Sequence, residues 1–198
     1  MSESEVSGSD IFLKNSVVFH SGKKYLVKAR SGRGKSSLLN FIYGTNSNYN
    51  GKIIFENEVI GSTNFHFRKN RISYIFQDLK LFDQLSVFEN IELKNRITNE
   101  KSAEEIDSLI KAVQLNGKRD QNLGSLSLGQ KQRVAIIRAL CQPFDFLLLD
   151  EPFSHLDPEN IRILTEIINL EIKKRNAGLI LTSLHDEYFF EYDHTLHL

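Results

Sequence analysis

The chain has a single cysteine, Cys141, so it cannot form an intrachain disulfide, and a reducing compartment fits it best. Cys141 sits in an apolar stretch and reads as a buried structural thiol. Net charge is also missing: 25 basic side chains face 25 acidic ones. That balance argues against nucleic-acid binding by bulk electrostatics. No basic run interleaved with aromatics restores the possibility. Nowhere does an apolar run approach the roughly 20 residues that span a bilayer. Any membrane role would therefore run through a separate partner, reached from the cytoplasmic side. The N-terminus, MSESEVSGSD, is acidic and polar, which is wrong for a secretory signal. Residues 1–10 read as a flexible arm. His20, His66, His155, His194 and His197 lack metal-ligand spacing, and no internal repeat is visible.

What remains is an ordinary globular composition, 40% apolar and 25% charged, in a length that suits one domain with an insert. Residues 11–198 are read as that domain. Short strands are expected at 11–19, 24–29, 51–56, 71–76, 144–149 and 178–183, with a last edge at 195–198. The run at 144–149 is too short and too apolar for a surface strand, so it should be central and parallel. Helices are expected at 36–43, 129–140 and 158–175, the last opened by Asp157 as cap and Pro158 in the first turn. Between about 78 and 127 the character changes to helical spacing. There Ile106, Leu109, Ile110 and Val113 recur at i, i+3, i+4 and i+7. This block is read as a helical subdomain inserted into an α/β core with a parallel sheet and helices on both faces.

Two segments carry chemistry. Residues 29–37, Ala-Arg-Ser-Gly-Arg-Gly-Lys-Ser-Ser, lie between an expected strand and an expected helix. A Gly-x-Gly-Lys-Ser loop in that position is a phosphate cradle, because its backbone N–H groups and the helix N-terminus converge on an anion. Arg30, Ser31, Gly32, Arg33, Gly34, Lys35, Ser36 and Ser37 are the candidate nucleotide contacts. Lys35 can reach β- and γ-phosphate oxygens, and the Ser36 hydroxyl is placed for magnesium. Well over 100 residues on, an apolar run ends in Asp150 and Glu151. Adjacent carboxylates at a strand end point in different directions. Asp150 then suits magnesium, held through water, and Glu151 suits polarisation of an attacking water. Gln77, at the strand end that opens the insert, can ligate magnesium or touch that water. His185, just beyond the strand ending at Ser183, could donate a hydrogen bond to the γ-phosphate.

These pieces occur in a fixed order: residues 29–37, Gln77, LSLGQ at 126–130, LLLDEP at 147–152, SHLD at 154–157, and His185. In order and spacing the chain resembles the ATP-binding subunits of ABC transporters from about Lys14 to Leu198. The resemblance implies a P-loop NTPase with a RecA-like core, a small antiparallel β subdomain and the helical insert. It implies MgATP hydrolysis in a head-to-tail homodimer, driving an integral-membrane permease from the inner face of the cell membrane. Each ATP would take Lys35, Ser36, Gln77, Asp150, Glu151 and His185 from one subunit and Ser127, Gly129 and Gln130 from the other. The region from Phe76 to Ile91 is similar to the lipoprotein-release, macrolide-efflux and cell-division subgroup.

Three departures stand out. Leu128 replaces the usual Gly of the signature, and could either weaken closure or point away. Ala29 stands where the loop usually has Gly, which demands a backbone angle that Ala tolerates. The stretch before Leu13 is short, leaving either Phe12 or no residue to stack on adenine. A second reading from another class is an ATP-driven regulatory or mechanical module that acts on a membrane partner without moving a solute. A DNA-repair ATPase is disfavoured by the short, cysteine-free insert, and a small-molecule kinase by the LSLGQ and SHLD segments.

Overall fold

The computed structural model describes residues 9–11, 16–61, 64–184 and 188–198. Five strands form one parallel sheet: β1 (Lys24–Lys28), β4 (Ile72–Ile75), β5 (Phe146–Asp150), β6 (Gly178–Ser183) and β7 (His194–His197). Their order is β4-β5-β6-β1-β7, so β5 is central with parallel neighbours on both sides and β7 is an edge. A separate two-stranded antiparallel pair is made by β2 (Ile54–Phe55) and β3 (Glu58–Val59). The helices are α1 (Lys35–Tyr43), α2 (Phe65–Asn70), α3 (Val87–Thr98), α4 (Ala103–Ala112), α5 (Leu128–Leu140) and α6 (Pro158–Arg175).

Side chains on a strand alternate between faces, and this parity builds two cores. Leu26, Ile75, Leu147, Leu149, Leu179 and Leu181 face one way. They meet Ile136, Ile137 and Leu140 of α5 and Leu164, Ile168 and Ile172 of α6. Val87 and Ile91 of α3, and Ile106 and Ile110 of α4, extend the same core. Tyr25, Val27, Ile72, Tyr74, Phe146, Leu148 and Ile180 face the other way, onto Leu38, Leu39 and Tyr43 of α1 and Phe67 of α2. Even-numbered positions of β5 and β6 thus look toward α1, the helix that follows the glycine loop.

The helix starts are chemically explicit. Ser86, Ser102 and Ser127 each close a reciprocal capping box, with Glu89, Glu105 and Gln130 respectively. Asp157 caps α6 through Asn160 N at 2.9 Å, with Pro158 in the first turn, as expected. Between β4 and β5 the chain holds α3, α4 and α5. Lys101 joins this block to α6 by a 2.8 Å ion pair with Glu171.

Two expectations need correction. No strand forms at residues 16–19, and residues 10–11 are a turn. The strand β1 already has β6 on one side and β7 on the other, so no hydrogen-bonding edge is left for it to share. Phe19 packs edge-on against Tyr25 instead, with ring centroids 4.9 Å apart. The strand expected at 51–56 shrinks to Ile54–Phe55 and turns back through Glu56 and Asn57, both at positive φ, into β3.

Candidate functional site

The parallel register brings the chemistry-bearing segments to one end of the sheet. Ile75 pairs with Leu149, Asp150 with Thr182, and Lys28 with Ser183. The glycine loop follows Lys28, Gln77 follows Ile75, and Glu151 follows Asp150. All leave the carboxyl ends of adjacent strands, where ligands bind in open α/β sheets.

The loop itself is shaped for an anion. Gly32 and Gly34 have φ of 77° and 90°, left-handed values that glycine adopts without steric cost. Nothing lies within 4 Å of where a Gly32 Cβ would stand. Gly34 precedes α1 and offers no side-chain cap, so the first-turn N–H groups of α1 face outward from the helix end. Ala29 is not among the residues at positive φ, which explains why alanine serves there. Its N–H reaches Ser183 O at 3.4 Å and its carbonyl accepts from Lys35 Nζ at 2.9 Å. Arg30, Ser31 and Gly32 are exposed, and Arg33, Gly34, Ser36 and Ser37 are half-buried.

Lys35 is buried, and a buried ammonium must be matched by acceptors. It has three: the carbonyls of Ala29 and Arg30, and Glu151 Oε1 at 3.1 Å. Glu151 takes up φ of 47° at the first residue past β5, at a cost of roughly 1–2 kcal/mol for an L-residue. Its N–H, donated to Thr182 O at 3.1 Å, holds that turn.

Asp150 is only 2% exposed. Its parity turns it to the α1 side, together with Tyr74 and Thr182. Thr182 Oγ1 donates to Oδ1 at 2.8 Å and Tyr74 Oη to Oδ2 at 3.3 Å. Burial, and next the Asp150 charge, push the Tyr74 phenol far above its ordinary range, so it stays a donor. Sequence reading missed both hydroxyls. The available signal was a threonine in an apolar strand, since a buried hydroxyl needs a partner.

Gln77 is exposed, just beyond the end of β4. His185 and Phe12 lie outside the described residues. Ser127, Gly129 and Gln130 form the start of α5, where the side chains of Ser127 and Gln130 each accept from the other's backbone N–H. Gly129 has its own reason to be glycine: a Cβ there would stand 2.8 Å from His155 O. Gln132, also missed, strengthens that junction by bonding Ser154 Oγ at 3.2 Å and the His155 N–H at 3.3 Å. Leu128 points outward and is 48% exposed.

The donor set fits MgATP. A glycine loop, an uncapped helix start and a buried ammonium suit a polyphosphate. A buried carboxylate and a nearby hydroxyl suit magnesium, which takes few protein ligands beside water and phosphate. Among the described residues, no group of three or more His, Cys, Asp or Glu could hold a metal ion.

Comparison with known proteins agrees with this geometry. A family model described as ABC transporter matches residues 14–154. The chain is 34% identical over 177 residues to the sulfate/thiosulfate import ATP-binding protein CysA of Methylococcus capsulatus, covering 84% of this chain and 49% of the relative. To CysA of Acinetobacter baylyi it is 36% identical over 183 residues, 88% of this chain and 48% of the relative. The chain thus spans about half the length of these curated relatives. Among solved structures it resembles the dimeric post-hydrolysis state of the ATP-binding cassette MJ0796 bound to ADP and Pi. The TM-score is 0.76 at 25% identity, over 86% of this chain and 78% of that one. A putative ABC transporter ATP-binding protein from Pyrococcus furiosus shares the fold, with a TM-score of 0.76 at 21% identity over 92% of this chain and 87% of that one.

Proposed function

The chain belongs to the ABC transporter family, and from that premise we propose that it is an ATP-binding subunit that hydrolyses MgATP to drive a membrane-embedded permease. The observation that carries this reading is the meeting of Lys35 and Glu151 at 3.1 Å beside buried Asp150. The backbone of residues 30–34 and the first turn of α1 cradle the phosphates, and Arg30, Ser31, Arg33 and Ser37 line the loop. Lys35 exchanges two carbonyls and a carboxylate for β- and γ-phosphate oxygens. Ser36, Gln77 and, through water, Asp150 would hold magnesium, which would supply charge neutralisation on the transferred phosphoryl group. Thr182 and Tyr74 keep the Asp150 carboxylate in one orientation. Glu151, released from Lys35, orients the attacking water and takes its proton, with Gln77 beside it. His185 donates a hydrogen bond to the γ-phosphate.

A second copy completes each site head to tail, presenting Ser127, Gly129 and Gln130 from the start of α5. The positive end of that helix's dipole then faces the γ-phosphate. Support comes from the outward-facing Ser127 and Leu128, and from the dimeric cassette that the fold resembles. The permease partner, and work at the inner face of a membrane, are supported by relatives named as import ATP-binding proteins. No described helix is long and apolar enough to cross a membrane.

Glu151→Gln tests the reading. It keeps the side-chain shape and removes the base, so turnover should fall by about 100-fold or more. The variant should also elute as a dimer on size exclusion with MgATP. A variant that stays monomeric and hydrolyses ATP at the wild-type rate overturns the role of Glu151.

A further inference from the structure

The chain turns sharply just after Gln77. Leu79 and Lys80 have φ of 59° and 47°, two consecutive non-glycine residues in the left-handed region. Such a pair persists only where the surroundings hold it. Local bonds contribute: Leu79 N–H to Phe76 O at 2.9 Å, and Lys80 N–H to Asp78 O at 2.7 Å. The remaining clamp comes from 58 residues away in sequence. Arg138, in the last turn of α5, donates Nη2 to Leu79 O and Nη1 to Lys80 O, each at 2.6 Å.

This use of an arginine is unusual in one respect. Among the described residues Arg138 has no carboxylate partner, and its fork is turned on two successive carbonyls. Burial brings its pKa down to about 10, against a weaker opposing pull from Tyr43. The guanidinium therefore gives up solvation to hold a turn whose only sequence neighbour with assigned chemistry is Gln77. Lysine could not do this equally, because it lacks the planar two-pronged donor.

The same helix begins at Ser127–Gln130. Gly129 and Arg138 are nine residues apart, about 14 Å along one rigid rod. One end of α5 meets the SHLD backbone at His155, and the other holds the turn after Gln77.

We propose that Arg138 is a positioning residue for Gln77, acting by holding the turn that follows it. The proposal rests on the ATPase reading for its catalytic consequence, though not for its structural one.

The test is a double-mutant cycle in the full chain with Arg138→Met and Gln77→Ala. Each single change should lower kcat tenfold or more with the KM for ATP within twofold. The double variant should be no worse than the poorer single variant, within twofold. Arg138→Lys should recover part of the loss. Effects that multiply, or an Arg138→Met loss that appears in KM alone, overturn the proposal. If Arg138→Met fails to fold, the same cycle is run with Arg138→Lys, and multiplicative effects again decide against it.

Amide exchange over residues 77–82 provides a readout independent of turnover. It should quicken at least tenfold in Arg138→Met while β5 and β6 keep their protection. Unchanged exchange overturns the clamp. A wild-type chain that neither binds nor hydrolyses MgATP would sink the ATPase reading, and exchange would still report on Arg138.

Discussion

Lys35 Nζ lies 3.1 Å from Glu151 Oε1, with the two side chains only 7% and 19% exposed. The ammonium assigned to phosphate and the carboxylate assigned to water thus neutralise each other. On the proposed reading, in which Lys35 turns to phosphate, nucleotide binding breaks this pair. Glu151→Gln should accordingly bind ADP more tightly than wild type, by roughly fivefold for about 1 kcal/mol of released attraction. Titration calorimetry of both proteins with metal-free ADP checks this. Equal or weaker binding by the variant would show that the pair does not oppose the ligand.

Thr182 and Tyr74 should differ in how much they matter to Asp150. The Thr182 bond is 2.8 Å and the Tyr74 bond 3.3 Å. Thr182→Val preserves shape and leaves a buried carboxylate oxygen without its nearer donor, a loss of about 1–3 kcal/mol. For a chain of this size that lowers Tm by roughly 3–10 °C. Tyr74→Phe should cost less. Thermal unfolding of the two variants ranks them, and the reverse order would contradict the geometry.

Gly129→Ala adds a methyl 2.8 Å from a backbone oxygen that a flexible side chain cannot step aside for. The His155 segment must move, or α5 must shift. MgATP-dependent dimerisation in the Glu151→Gln background should be lost, while monomer binding of ADP stays within about twofold, a change of ~0.4 kcal/mol. Size exclusion with MgATP and calorimetry with ADP separate the two effects. Unimpaired dimerisation would mean that the junction tolerates the extra atom.

Cys141 is buried, and burial pushes its thiol from 9.0 up to about 12. The native chain holds the proton more tightly than the unfolded chain. Its contribution to stability is therefore complete below pH 9 and declines as pH rises toward 12. Two outcomes follow. A thiol reagent at pH 8 should find no reactive sulfur until the chain is unfolded, and then one. Cys141→Ala, weakened at neutral pH by lost packing, should show a shallower alkaline decline than wild type. Rapid labelling of the native chain would refute the assignment.

Much of the architecture was legible because it repeats on short length scales. The apolar strands at β5 and β6, the cap at Asp157 and the helical period of α4 each announce themselves within a few residues. The β2–β3 pair did not, since each strand has two residues and Glu58 and Val59 are exposed on both faces. Helix α2 escaped for a similar reason: it has six residues, and Phe65 at its start is largely exposed. A strand at 11–19 was expected, and its described part at 16–19 found no free edge beside β1. Within the site, the loop, Asp150 and Glu151 were readable because their spacing is local. Thr182, Tyr74 and Gln132 were not, because each acts through a partner at least 22 residues distant that only folding supplies.

Strand parity divides the core of this molecule for anyone who would re-engineer it. Leu147, Leu149, Leu179 and Leu181 look toward α5 and α6, away from Asp150. Leu148, Ile180 and Tyr74 share a wall with that carboxylate and with the helix that follows the glycine loop. Directed repacking for heat tolerance can therefore be confined to the first set, leaving the setting of Asp150 as a control that should not drift. Libraries drawn from the second set will vary both traits together, and a single selection for stability there would silently reshape the setting of that carboxylate.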